Sequence, residues 1–407
     1  MKKLKILETS RTLKRASRFL SAVKNPKLRI LEVTTYTSGV CGVAARVLAE
    51  AALLAEHGHE VRIFSTNHVK GSSALASTHE QRNNVTIRRF PALKIAGESY
   101  TLWSSRKLKK AIRAYRPDII IAHSYRHTHT LLAYRIAKEI GAKSILVAHA
   151  PFGDTSMRSP LAAWYIQHFD KHQGKRSLQG FDKIVAITHW ELPYLHNLGA
   201  SKEKIAYLPN GIPPAFFTQK PAKEQPTKLL FFGRIAPVKD IETLLEALSR
   251  VKNQKVTLEL AGPAEADYLT KLKKLILDLH LEHRVSFTPA LFETSKKIAK
   301  LDSAHLFILP SKREGMPQSL IEAMARKKLV IASETLGARD LIRNSNNGFL
   351  FPIGNASALA TTIDSALALS PTQKRSMQNA AHDSVKQFAW PLIGKKLELL
   401  LQDLAKK

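Results

Sequence analysis

Two carboxylates stand eight residues apart in REGMPQSLIEAMA, residues 313–325: Glu314 ahead of a helix-like apolar pattern and Glu322 inside it. Pro317 suits the first helical position, where its missing N–H is not needed. Glu314 then falls in a loop, and Glu322 one to two turns into the helix. Eight residues do not return to one helical face, so the two are not spaced as an acid–base couple. They suit different parts of one elongated ligand, since carboxylates accept hydrogen bonds from sugar or ribose hydroxyls. The amides of Gly315, Met316, Gln318 and Ser319 begin the helix, where N–H groups and the dipole favour an anion. The plainer alternative is a Glu314 that complements the dipole and a Glu322 that is a surface charge.

A second stretch, FFGRIAPVKD (231–240), carries Gly233, Arg234 and Lys239 just after a strand-like run. Glycine lets a backbone approach a ligand, and an Arg fork with a Lys point charge suits diphosphate oxygens. Two solvated loop cations are the other reading. HSYRHTHT (123–130) offers His123, His127 and His129 as candidate metal ligands, without an evident fourth. Strand-end groups lining a ligand site, or plain loop histidines, are the readings preferred to a metal site. His149, at the end of another apolar run, by itself reads as a structural histidine.

The elements that must position these residues follow a regular alternation. LRILEVTT (28–35), SGVCGV (38–43), AARVLAEAALLAEHG (44–58) and HEVRIFST (59–66) read as strand, glycine turn, helix and strand, a βαβ unit. Further strands are expected at 85–90, 118–123, 144–149 and 183–188, with helices around 103–115 and 129–140. YLPNGIPPAFF (207–217) and KPAKEQPTK (220–228) interrupt the rhythm with prolines and polar residues and mark a junction. The alternation then restarts, with strands at 229–234, 256–262, 284–289, 305–310, 329–333 and 348–352. Helices are expected at 240–252, 265–279, 293–301 and 317–327. Apolar β-branched runs alternating with helices imply parallel sheets covered on both faces, whose ligands bind beyond the carboxyl ends of the strands.

The chain has 407 residues, enough for two domains, and its 44% hydrophobic content suits a well-cored protein. A single cysteine, Cys41, excludes an internal disulfide and fits a reducing compartment. No apolar run reaches the roughly 18–20 residues that span a bilayer. The formal net charge of +30 predicts attraction to polyanions: anionic lipid, phosphorylated substrates or nucleic acid. Residues 1–28 concentrate Lys and Arg beside an apolar stripe at Leu13, Ala16, Phe19, Leu20 and Val23. They read either as an amphipathic helix on an anionic membrane or as a loosely docked extension.

EGMPQSLIE (314–322) resembles the E-x7-E signature of retaining glycosyltransferase family 4, which includes glycogen-synthase-like and sucrose-phosphate-synthase-like enzymes. GRIAPVK (233–239) is similar to the family's G-R-x4-K segment, YLPNGI (207–212) to its P-N-G-[IV] junction, and LAEHGHEV (54–61) to its first helix-to-strand turn. RPDIIIAHS (116–124) and ILVAHAPFG (145–153) resemble its paired His-bearing strands, and FAWPLIGKKLELL (388–400) its closing Trp-containing helix. The usual Gly-Gly of the first loop reads Cys41-Gly42 here.

The resemblance implies a glycosyltransferase-B fold: two Rossmann-like, doubly wound α/β domains facing a central cleft. The expected segments are a basic extension 1–28, an acceptor domain 29–212, a linker 213–227, a donor domain 228–375, and a C-terminal helix, 376–407, returning to the first domain. The implied activity is transfer of a hexose-type sugar from a nucleoside-diphosphate sugar to a hydroxyl acceptor, with retention, in glycan, glycolipid or cell-envelope biosynthesis. Arg234 and Lys239 would bind the diphosphate, Glu314 the sugar, and Glu322 the ribose. Gly42, Gly233, Gly315, Met316, Pro317, Ser319 and Leu320 would complete the donor site. Gly39, His123, Arg126 and His149 would lie toward the acceptor, with His149 near the reacting sugar.

No cofactor and no metal is expected, since the chain has no D-x-D pair; UDP or GDP is the expected nucleotide. A lipid-linked or phosphorylated glycan acceptor and an anionic membrane surface are the expected partners, nucleic acid is not, and the place is the cytoplasm or the inner membrane face. The competing readings are a non-catalytic polyanion-binding protein, or an epimerase or phosphorylase on the same fold.

Overall fold

The computed structural model describes residues 26–39, 41–95, 100–152, 160–220, 222–289, 291 and 293–406. The basic segment 1–25, and with it the proposed amphipathic stripe, lies outside the described residues. The chain forms two compact units, one of Met1–Asn210 with Pro391–Lys407 and one of Gly211–Trp390.

The first unit contains strands β1 (Arg29–Val33), β2 (Glu60–Thr66), β3 (His79–Arg82), β4 (Val85–Phe90), β5 (Ala92–Ile95), β6 (Tyr100–Trp103), β7 (Ile119–His123), β8 (Lys143–Val147), β9 (Lys183–Ala186) and β10 (Ile205–Tyr207). Eight of them make one sheet in the order β10-β9-β8-β7-β1-β2-β4-β3. All neighbours are parallel except β3 with β4. Strands β1, β7 and β8 are buried almost end to end, as helices on both faces require. The strand order turns between β1 and β7, so their carboxyl ends flank a topological switch point.

Strand β3 (HEQR), the antiparallel β5–β6 ribbon and the three-residue β10 were not expected as strands. Their residues are polar, exposed or few, so they lack the apolar runs that betray the central strands. The helix Gly42–Glu56 lays Val47, Ala51 and Leu54 on the core and buries an Arg46–Glu50 ion pair at 2.8 Å. Arg46 also donates to the Leu208 carbonyl at 2.9 Å and to Asn210 Oδ1 at 3.0 Å.

The C-terminal helix Trp390–Ala405 returns to this unit through Glu398, which accepts from His59 Nε2 at 3.1 Å and lies 3.5 Å from His57. Burial opposes the charge on Glu398, but His57 and His59 outweigh it and hold its carboxyl below the usual range. Its folded pKa is therefore depressed. The stability it contributes is present above the unfolded carboxylate value of about 4.3, and is lost as pH falls below that toward the folded value. Melting temperature should drop more steeply below about pH 4.5 in the wild type than in Glu398→Gln. Parallel curves would show that this carboxylate does not carry the linkage.

The second unit contains β11 (Lys228–Phe232), β12 (Thr257–Ala261), β13 (Val285–Thr288), β14 (Leu306–Leu309), β15 (Leu329–Ser333) and β16 (Phe349–Phe351). They form a parallel sheet in the order β13-β12-β11-β14-β15-β16, with the switch point between β11 and β14. Leu230, Phe231, Phe307, Ile308, Val330 and Ile331 centre its core.

The units change over at Asn210–Gly211 and Trp390–Pro391. Phe216 lies in the second unit's core, as do Met377, Ala381, Val385 and Phe388. The two crossing strands of chain are tied together, with Ile212 N–H donating to Phe388 O at 2.7 Å and Trp390 N–H to Ile212 O at 3.1 Å. Prolines punctuated the sequence there without interrupting the packing.

Candidate active site

In the second unit the loops after β11 and β14 emerge on either side of the switch point. Lys312 N–H donates to Val238 O at 2.9 Å and joins the two loops. Lys239 Nζ then lies 2.6 Å from Glu314 Oε1, which also accepts from Ser311 Oγ at 2.6 Å. The Lys312 ammonium is 3.3 Å from Asp240. Lys239 and Glu314, 75 residues apart in sequence, thus form one partly accessible acid–base pair.

Arg234 belongs to the same β11 loop but extends outward to Glu265 at 2.7 Å, with 39% of its side chain exposed. Glu322 is buried and sits 3.2 Å from Lys297, whose ammonium lies 5.6 Å from the centre of the Phe232 ring at the end of β11. Burial raises the Glu322 carboxyl above its ordinary range, and Lys297 partly opposes this. The sequence carried no signal for Lys297 as the neighbour of Glu322, because their approach depends on how the helix Thr294–Ser303 packs beside the helix Gln318–Ala325.

Pro317 is the residue flanking the helix Gln318–Ala325, with extended backbone, rather than its first turn. The helix starts one residue later than its proline predicts. The Leu320 side chain is fully buried in the core, so a donor could meet only its backbone. Met316 packs partly on that same core, and Ser319 is half-buried beside Leu320. A Cβ on Gly233 would lie in ordinary van der Waals contact with the Phe231 ring, at 3.5 Å. Gly337 is different. A Cβ there would fall 2.3 Å from the Gly315 carbonyl, and its N–H donates to Glu314 O at 3.2 Å. The loop bearing Glu314 is thus seated on a glycine that sequence reasoning had not placed at the site.

In the first unit, His123 is completely buried at the end of β7. Its Nε2 is hydrogen-bonded to Glu32 on β1, and its Nδ1 is 2.9 Å from His149 Nε2. Burial pushes the Glu32 carboxyl up to about 8 against the opposing Arg46 charge, and pushes His123 down to about 3. His149 is held well below its ordinary value, first by burial and then by His123 and Arg46. His149 and Ala150 both have left-handed backbone, with φ of 62° and 50°. Such residues cost on the order of 1–3 kcal/mol each and persist only where neighbours enforce them. Glu191 does so here, accepting from the amides of Ala150 at 2.5 Å, Ile187 at 2.6 Å and Thr188 at 3.0 Å.

Other expected acceptor-side residues have structural partners. Arg126 makes a bidentate pair with Asp170 at 2.8 and 2.6 Å and donates to Pro151 O, which leaves its side chain 6% exposed. Gly39 has φ of 86°, and a Cβ there would fall 2.2 Å from Lys70 O, so a neighbouring loop accounts for that glycine. Gly42 opens the helix Gly42–Glu56, with open space around it. His129 donates through Nε2 to His123 O at 3.0 Å and stacks on Trp103. Among the described residues, no group of three His, Cys, Asp or Glu side chains is placed to hold a metal ion. Nor is any described helix long and apolar enough to cross a membrane.

Comparison with known proteins agrees with this architecture. Residues 40–216 match the family model described as Glycosyltransferase Family 4, and residues 214–383 match that of Glycosyl transferases group 1. The amylovoran biosynthesis glycosyltransferase AmsK of Erwinia amylovora is 30% identical over 65% of this chain and 66% of its own. The N-acetyl-alpha-D-glucosaminyl L-malate synthase of Bacillus anthracis is 23% identical over 93% of this chain and 97% of its own. A crystal structure of Anabaena HepE in complex with UDP and glucose superposes with a TM-score of 0.71, at 18% identity over 92% of this chain and 100% of that one. The chain belongs to the family 4 group of glycosyltransferases, and its two Rossmann-like units form the glycosyltransferase-B fold.

Proposed function

We propose that this glycosyltransferase moves a hexose-type sugar, with retained configuration, from UDP- or GDP-sugar to a hydroxyl acceptor in the synthesis of a glycan or polysaccharide. The Lys239–Glu314 pair at the switch point of the second sheet carries this reading. Departure of a nucleoside diphosphate builds negative charge on its phosphate oxygens, and cations already in place stabilise that charge without reorganising. Lys239 supplies a point charge there, and Arg234 a planar fork on the same loop. The amides opening the helix Gln318–Ala325 add a partial positive charge, and Gly233, having no side chain, lets phosphates approach the backbone after β11. These fixed charges support a reaction that needs no metal.

Glu314 and Glu322 accept from sugar and ribose hydroxyls respectively. Its bonds to Lys239 and Ser311 support a positioning role for Glu314 rather than a nucleophilic one. The acceptor hydroxyl attacks the anomeric carbon from the face the diphosphate leaves: the new glycosidic C–O bond forms as the bond from that carbon to the diphosphate oxygen breaks, and the leaving phosphate takes the hydroxyl proton. AmsK, named for amylovoran biosynthesis, supports a polysaccharide product, and HepE with UDP makes UDP the first nucleotide to test. The formal charge of +30 fits a phosphorylated or membrane-borne acceptor at the cytoplasmic face.

A thermal-shift panel of UDP, GDP and ADP with their sugars tests the donor. The cognate nucleotide at 100 times its Kd should stabilise the protein by about 2.7 kcal/mol. No shift with any of them, and no release of nucleotide from any sugar donor, would defeat the reading. A polyanion binder would instead respond to polyphosphate and nucleotide alike.

A further inference from the structure

The first unit holds a hydrogen-bonded file of three titratable side chains at its own switch point: Glu32 on β1, His123 on β7 and His149 just beyond β8. We propose that Glu32 and His123 are positioning residues that set which ring nitrogen of His149 carries its proton, and so whether Nδ1 of His149 donates or accepts a hydrogen bond. The inference rests on His149 facing the reacting groups, and its test is chosen to stand apart from that reading.

The geometry leaves two consistent arrangements. When Glu32 is protonated, its O–H donates to His123 Nε2. His123 Nδ1–H then donates to His149 Nε2, and His149 Nδ1 carries the remaining N–H. Removing one proton from the file inverts every bond. His123 Nε2–H donates to the carboxylate, His123 Nδ1 accepts from His149 Nε2–H, and His149 Nδ1 keeps only a lone pair. The proton departs at His149 while the negative charge stays on Glu32, and both imidazoles remain neutral throughout.

Three observations favour this relay over a plain buried ion pair. Glu32 Oε1 is buried without a hydrogen-bond partner, as suits the carbonyl oxygen of a neutral acid and ill suits a carboxylate. The charges around the file are opposed. On the helix Gly42–Glu56, Arg46 is paired with Glu50, and each leaves one buried atom, Arg46 Nη2 and Glu50 Oε1, without a partner. Among the described residues, His127 and His129, at the start of the helix Thr128–Ile140, also face it, and burial lowers both. Finally, Glu191 locks the left-handed His149–Ala150 turn, which keeps His149 Nε2 on His123. The groups titrate as a coupled set, so the switch belongs to the file rather than to one residue.

The experiment uses the full chain with ring-15N-labelled histidine, followed by two-bond 1H–15N correlation from about pH 6 to about 9.5. His149 is assigned by loss of its signals in His149→Asn. The protonated nitrogen of His149 should pass from Nδ1 to Nε2, with His123 passing from Nδ1 to Nε2 at the same midpoint, near the value of about 8 to which burial raises Glu32. Glu32→Gln should abolish the switch. The proposal is overturned if wild-type His149 keeps one nitrogen protonated across the range, a result that needs no variant to fold, or if the switch survives in Glu32→Gln. The profile of kcat/KM is the second readout. It should change about tenfold over the same window in the wild type and stay level in Glu32→Gln. A tautomer switch with a level wild-type profile upholds the relay and removes His149 from the reaction.

Discussion

Lys239→Ala is expected to lower kcat by about 10²–10³-fold, the cost of removing one fixed donor aimed at developing negative charge. Its ammonium is 2.6 Å from Glu314 and its side chain is 19% exposed, so the site loses a charge without the fold losing a core residue. Melting temperature should therefore move by only a few degrees. Lys239→Arg should not restore the rate, because a planar fork cannot replace a compact ammonium in contact with both Glu314 and a phosphate. Glu314→Ala should fall comparably in kcat, since Glu314 holds Lys239 and is proposed to accept from the sugar hydroxyls. Steady-state kinetics with the cognate donor decide the matter. If either alanine variant keeps wild-type kcat and only raises KM, the pair serves ground-state binding and the transition-state role given to it is wrong.

Arg326→Ala is expected to destabilise the second unit by about 3–5 kcal/mol, lowering its melting temperature by roughly 10 °C. Arg326 and Asp302 are each 2% exposed and joined by two bonds of 2.8 and 2.7 Å, and Arg326 also donates to Phe216 O and Gln219 O. Removing the guanidinium strands the Asp302 carboxylate in the interior, with the Ala222 amide at 3.1 Å and little else to satisfy it. The double variant Arg326→Met with Asp302→Leu should recover most of the loss, because no buried charge is then left unpaired. A double variant as unstable as Arg326→Ala would mean that the carbonyl contacts at 216 and 219, rather than the ion pair, hold this corner together.

Much of the fold was legible because parallel strands buried on both faces read as continuous apolar runs. LLFF, LFIL and LVIAS announce β11, β14 and β15 directly, and the glycine and proline breaks fall between elements. The edge strands were not legible. HEQR of β3 is polar because one of its sides has no neighbouring strand. The E-x7-E and G-R-x4-K spacings put Glu314 and Lys239 in view for a local reason: each loop must leave a strand and enter a helix within a few residues. The pairing of Arg126 with Asp170 was not legible, because nothing in HSYRHTHT reveals an aspartate 44 residues later.

By itself, then, the order of residues determined that there are two alternating α/β halves, which loops bear the charged groups, and which family the chain belongs to. Which side chains meet was decided only in three dimensions: Lys239 with Glu314, Glu322 with Lys297, Gly337 beneath Gly315, and Glu32 with His123 and His149. The physical reason is that periodicity and turn chemistry act over a few residues. A parallel sheet, by contrast, gathers strand ends from 26 to 91 residues apart, and burial there sets charge and tautomer by surroundings that no local stretch encodes.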